Sequence, residues 1–129
     1  MTPKINFITV AVEDMQESIE FYQQVFNFKI AEQSEDLCLF DMENGFYFVI
    51  QTKADFLQQR DNQNPAERSS GFILSCSLDS TEQVDMLVSR AEKMGAVQVK
   101  KLNEEWGYSV VIKDINGHHW EIVHLTQSN

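Results

Sequence analysis

Apolar residues along the chain switch between a period of two and a period near 3.6, and the switches mark out the elements. The segment INFITVAV is β-branched and aromatic and stops at Glu13-Asp14, which predicts a strand over about residues 5–12. Asp14 followed by Glu17 is a capping-box pattern, and the helix it opens carries Met15, Ile19, Tyr22, Val25 and Phe26 along one face. Three short strands are predicted next, at 28–33, 37–42 and 46–52. Asn44-Gly45 between the last two predicts a hairpin, because both residues accept positive φ.

After Thr52 the texture changes. Residues 53–70 are polar and rich in Gln and Asn, with Pro65 and only Phe56 and Leu57 as sizeable apolar side chains, which predicts a long crossing loop. Then the order repeats. GFILSCSL at 71–78 reads as a strand, and Ser80 with Gln83 offers a second capping box. Val84, Leu87, Val88 and Ala91 make a second apolar helix face, which Gly95 is placed to terminate. Strands follow at 97–102, 106–113 and 118–125, the last two joined by Asp114-Ile115-Asn116-Gly117. Two copies of strand–helix–strand–strand–strand account for the repeat, so the fold class is α+β, and the hairpins argue against a parallel α/β sheet.

Composition narrows the function. The chain has 129 residues, of which 43% are hydrophobic and 23% charged, as expected of a globular domain. A formal net charge of −10 argues against nucleic acid and against anionic membrane surfaces as partners. The same charge admits a neutral or cationic ligand. Cys38 and Cys76 lie far apart in apolar stretches with no zinc-like spacing, so they read as free thiols, which fits a reducing cytoplasm. The apolar run near the N-terminus is broken by Asn6 and Thr9 and does not resemble a signal peptide.

Two stretches carry a family resemblance: V10-A-V-E-D14 followed by S18-I-E-F-Y22, and D114-I-N-G-H-H-W-E-I-V123. The second is similar to a D-P-D-G-x-x-W-E-hydrophobic signature, with Ile115 in the proline place. Together with the paired βαβββ pattern over about residues 5–125, they resemble the vicinal oxygen chelate superfamily. Its members include type-I glyoxalases, extradiol dioxygenases, fosfomycin-inactivating transferases and bleomycin-resistance binding proteins. The resemblance implies one domain: module one at about 5–52, a crossing loop at about 53–70 and module two at about 71–125. It implies a curled mixed sheet around a cavity with helices outside, and a homodimer.

In that family, metal ligands, usually two His and two Glu, project from the first and fourth strands of each module. Carried over, those positions fall on Phe7, on Gln51, on Phe72 or Ile73, and on Glu121. Phenyl and alkyl side chains have no lone pair for a metal, Gln is a poor ligand, and one carboxylate cannot hold a divalent ion. The expectation is therefore no metal and no cofactor. The alternative is a divalent transition metal held by an atypical set around His119 and Glu121, which share a strand face; His118, Trp120, Ile122 and His124 share the other.

The candidate ligand-binding residues are Phe7, Tyr47, Gln51, Phe72, Ile73, Trp106, Tyr108, His119 and Glu121, with Glu121 also the candidate acid–base group. Glu121 reads equally as a hydrogen-bonded relic or as a proton acceptor. Trp106 and Tyr108, beside Glu104-Glu105, read as a stacking platform for a flat ligand or as cover for a sheet edge. Phe7, Tyr47 and Phe72 also read as plain core. No nucleophilic triad and no phosphate-cradling glycine loop is present. The expected function is metal-independent binding of a small organic ligand, cationic or aromatic, in an aromatic cavity. A glyoxalase-like lyase, isomerase or dioxygenase is the alternative.

Overall fold

The computed structural model describes residue 2, residues 4–59 and residues 73–126. The chain divides into two compact units, Met1–Glu67 and Arg68–Asn129. The first contains β1 (Phe7–Val12), α1 (Met15–Phe26), β2 (Lys29–Gln33), β3 (Leu37–Asp41), β4 (Tyr47–Thr52) and α2 (Lys53–Gln59). The second contains β5 (Leu74–Ser77), α3 (Thr81–Lys93), β6 (Val97–Glu104), β7 (Gly107–Lys113) and β8 (His119–Leu125). Each unit builds a four-stranded sheet, in the orders β1-β4-β3-β2 and β5-β8-β7-β6. In both, the first and last strands pair in parallel and the other pairs are antiparallel. This is the α+β, twice-repeated βαβββ arrangement that the periodicity predicts.

Strand alternation sorts the first sheet into two faces. The register sets Phe40 beside Phe48 and Ile50 beside Cys38, with Ile8 and Val10 next to Phe48 and Ile50 on β1. α1 packs on this face through Ile19, Phe21, Tyr22 and Val25, all buried. The Tyr22 ring lies 5.3 Å from Phe48 and 6.1 Å from Phe40, and Phe28 continues the cluster at 5.8 Å from each. Each such side chain withdrawn from water contributes roughly 1.5–3 kcal/mol, so this face is the core of the unit. In the second sheet Trp120, Ile122, Val110 and Ile112 form the equivalent buried face. Val84, Leu87, Val88 and Ala91 of α3 are its buried partners.

The helix starts are capped as their sequences predict. Asp14 accepts from the Glu17 amide at 2.9 Å, and Ser80 Oγ from the Gln83 amide at 3.1 Å. The Gln83 side chain reaches back to the amide of Asp79 at 2.8 Å, one residue before the cap. The two Asn-Gly turns are not geometric copies. Glu43, Asn44 and Gly45 all have positive φ, whereas in the second turn the left-handed residue is Gly117. There the Asp114 carboxylate organises the loop. It accepts from the amides of Asn116 at 2.8 Å and His118 at 3.0 Å, and from Trp120 Nε1 at 2.8 Å. The family-like stretch therefore has a structural task in this chain: it pins the turn to the core tryptophan.

One expectation needs correction. Residues 53–59 are helical rather than loop, forming α2. Lys, Ala, Leu and Gln are good helix formers, and the polar composition that suggested a loop is what a short surface helix also shows. Residues 60–70 of the expected crossing loop lie outside the described residues.

Candidate functional site

The first sheet's other face carries the module-one candidates. Tyr47 lies between Phe7 and Asp41, Val49 between Thr9 and Leu39, and Gln51 between Ala11 and Leu37. Phe7 and Tyr47 stack with ring centroids 5.6 Å apart. Phe7 is 56% exposed on the edge strand β1, so it is not core. Phe7 and Gln51 are not brought together: Gln51 is opposite Ala11, four residues further along β1. At about 3.3 Å per residue that is roughly 13 Å.

Gln51 is 5% exposed. Its Nε2 donates to Asp55 Oδ2 at 2.7 Å, in the first turn of α2. Its Oε1 is buried and has no hydrogen-bond partner among the described residues. Buried polar atoms are almost always paired, so an acceptor left open in an apolar neighbourhood is the feature of this face that needs a reason.

In the second unit His119, Glu121, Ser75, Val111 and Lys113 share a face, as the alternation predicts for His119 and Glu121. Ser75 Oγ donates to Glu121 Oε1 at 2.8 Å. Ile73, just before β5, is 59% exposed. Phe72 lies outside the described residues. Trp106 is 46% exposed at the turn between β6 and β7, where its carbonyl accepts from the Thr126 amide at 2.9 Å.

Tyr108 is separated from this group. Alternation turns it to the α3 side of β7, where its hydroxyl donates to Asp85 Oδ1 at 2.5 Å and the residue is 8% exposed. Burial, and then the Asp85 carboxylate, hold its pKa above the usual tyrosine value. Tyr108 thus anchors a helix instead of sharing the face of Glu121. His124, on the same side, meets the Leu78 carbonyl through Nδ1 at 3.1 Å. A carbonyl can only accept, so Nδ1 carries the proton.

The metal implied by the resemblance does not fit these side chains. The family positions hold a phenyl ring, an amide, an alkyl or second phenyl group and one carboxylate. Of the amide only Oε1 could ligate, and a neutral amide oxygen with one carboxylate is too weak a donor set for a divalent transition metal. Among the described residues no three His, Cys, Asp or Glu side chains gather where an ion could sit. The neighbours of His119 and Glu121 in the sheet are Lys113, Val111 and Ser75, none of them a good third ligand.

Two residues escaped the sequence reading. Asp55 was hidden in the polar stretch; its signal was the four-residue spacing from Gln51 across a strand-to-helix junction. Ser75 had no local signal, because only the β5–β8 register sets it beside Glu121.

Two βαβββ units, each with a helix on one face of a four-stranded sheet, define a paired-module α+β protein. The chain belongs to the Glyoxalase/Bleomycin resistance protein/Dioxygenase superfamily, whose sequence profile matches residues 4–122. Among solved structures, a glyoxalase-related enzyme from Fulvimarina pelagi aligns with a TM-score of 0.85 at 19% identity, covering 95% of this chain and 88% of that one. Fosfomycin resistance protein FosX from Mesorhizobium loti aligns with a TM-score of 0.71 at 20% identity, covering 98% and 95%. Lactoylglutathione lyase from Agrobacterium tumefaciens gives 0.70 at 18%, covering 96% and 95%. At these identities the likeness establishes the fold, and activity has to be argued from the residues.

Proposed function

We propose that this chain is a metal-independent small-molecule-binding protein, holding an organic ligand by apolar contact and a few hydrogen bonds, in the manner of drug-sequestering resistance proteins. The observation that carries this reading is Gln51: a buried amide whose Oε1 has no partner among the described residues, set in an apolar neighbourhood of Ala11, Leu37 and Val49. An unpaired buried acceptor costs roughly 1–3 kcal/mol, and a ligand that donates to it offsets that cost on binding. The exposed Phe7–Tyr47 stack on the same face offers an aromatic surface. On the second unit, taken by itself, His119 and Glu121 are partly exposed polar groups and Trp106 and Ile73 are exposed apolar ones, a second set of candidate contacts.

The lyase, isomerase or dioxygenase alternative needs either a metal, for which the donor set is too poor, or acid–base chemistry by Glu121. Glu121 is partly exposed, and its Oε1 already accepts from Ser75 Oγ. No helix among the described residues is long and apolar enough to cross a membrane. A cytoplasmic homodimer belongs to the proposal, supported by two free cysteines and by the habit of two-module family members.

Calorimetric titration over neutral and cationic aromatic compounds should give a saturable site that Gln51→Leu weakens. No saturable binding across the panel would refute the reading. Elemental mass spectrometry of untagged protein should find no stoichiometric metal, and chelator should leave the melting curve unmoved. Near-stoichiometric metal with a chelator-sensitive melt would move the enzyme reading to the front.

A further inference from the structure

The same site carries information about what it accepts, through a residue outside the family's ligand positions. A glutamine amide is ambivalent: one end donates, the other accepts, and a half-turn about its last bond exchanges them. In this chain the half-turn is blocked. A carboxylate oxygen only accepts, so Asp55 Oδ2 at 2.7 Å holds the nitrogen end of Gln51 toward itself. Turning the amide over would set two acceptors against each other and forfeit a charge-assisted bond. The end left to the rest of the site is therefore Oε1, an acceptor with both lone pairs open among the described residues.

The register flanks it with Ala11 on one side and Leu37 on the other, neither with a side-chain donor. Gln51 itself is 5% exposed.

We infer that Asp55 is a specificity-determining residue: by locking the Gln51 amide, it makes the site select ligands that present an N–H or O–H and reject those that present only a carbonyl, ether or carboxylate oxygen. The ligand class is a neutral or cationic apolar molecule with a hydroxyl or amino group. This rests on the binding reading above and deepens it. Asp55 acts through Gln51 and is a positioning residue, without contact to the ligand itself.

The test uses a neutral matched pair, so that the negative charge of the protein plays no part: α-methylbenzyl alcohol, which donates, and acetophenone, its oxidised counterpart, which only accepts. Both are titrated against the full chain and against Asp55→Asn, with circular dichroism confirming that the variant is folded. In the wild type the alcohol should bind at least about tenfold more tightly than the ketone, a difference near the worth of one hydrogen bond. Asn at position 55 offers both a donor and an acceptor, so the Gln51 amide becomes free to turn. The ketone should then gain affinity while the alcohol, which can pair either way, changes little.

A second readout is independent of affinity. The Gln51 side-chain NH₂ resonances in a ¹⁵N-correlated spectrum should move on adding ketone to the variant and stay in place on adding ketone to the wild type. Equal binding of the pair by the wild type, or a preference that survives Asp55→Asn, overturns the lock while leaving a binding site in place. Saturable binding of neither compound, together with none across the wider panel, overturns the binding reading and the lock with it.

Discussion

Removing the Asp114 carboxylate tests the claim that the family-like stretch serves the fold. In Asp114→Ala, Trp120 Nε1 loses an acceptor at 2.8 Å in a residue that is 4% exposed, and the amides of Asn116 and His118 lose theirs. A buried donor deprived of its acceptor costs roughly 1–3 kcal/mol, and two part-buried turn amides that water can partly reach add roughly 0.5–1 kcal/mol each. The expected loss is about 3 kcal/mol, which for a domain of this size lowers the melting temperature by about 10 °C. Asp114→Asn separates the contributions. Its oxygen can still serve the two amides, but its NH₂ meets the Trp120 N–H donor to donor. Thermal and urea melts of Asp114→Asn, Trp120→Phe and the double variant form a cycle. The penalty of Asp114→Asn should shrink by at least about 1 kcal/mol when Trp120 is already Phe. A melting shift under about 2 °C in Asp114→Ala, or no coupling in the cycle, would refute the reasoning.

Three further outcomes follow from the packing. Tyr108→Phe should cost about 1 kcal/mol through loss of the Asp85 bond. Because the folded pKa of Tyr108 is raised, its contribution is complete below the unfolded value near 10 and is lost as pH climbs through the folded value; urea melts between pH 9 and 11 should show a shallower alkaline decline in the Phe variant. Gly107→Ala should cost more than about 2 kcal/mol, since a Cβ there would lie 2.5 Å from the His124 carbonyl oxygen at a φ of +153°; a melt near wild type would contradict this. Burial pushes both the Cys38 and Cys76 thiols up to about 11, so alkylation at pH 8 should be about a hundredfold slower than in denaturant, where thiolate is plentiful. Fast labelling of either in the folded protein would show the burial to be breached.

How far the molecule is legible in the sequence differs by level. The strands, the two long helices and the face each presents were readable because alternation and the 3.6 period are local consequences of backbone geometry. Asp14 and Ser80 announced their helices for the same reason, since a cap bonds within one turn. α2 was not readable, because seven residues carry too little periodic signal to separate a short helix from a polar loop. The Asn-Gly dipeptide stands in both turns, at 44–45 and 116–117. The structure has two different turns, because Asp114 captures the second through its side chain.

What the sequence determined by itself is the order of elements, their inner and outer faces, the family resemblance and the scarcity of metal-binding side chains at the family's positions. All of these depend on residue identity and on spacings of a few residues. What only the tertiary structure decided is which distant residues meet. The register of β1, β3 and β4 put Gln51 between Ala11 and Leu37 and left Phe7 beside Tyr47, well away from it. The parallel pairing of β5 with β8 brought Ser75 to Glu121. The path of α3 took Tyr108 for Asp85, and the turn of the chain into α2 gave Gln51 its Asp55. Register and helix docking follow from the simultaneous burial of many side chains far apart in sequence, so no local window contains them.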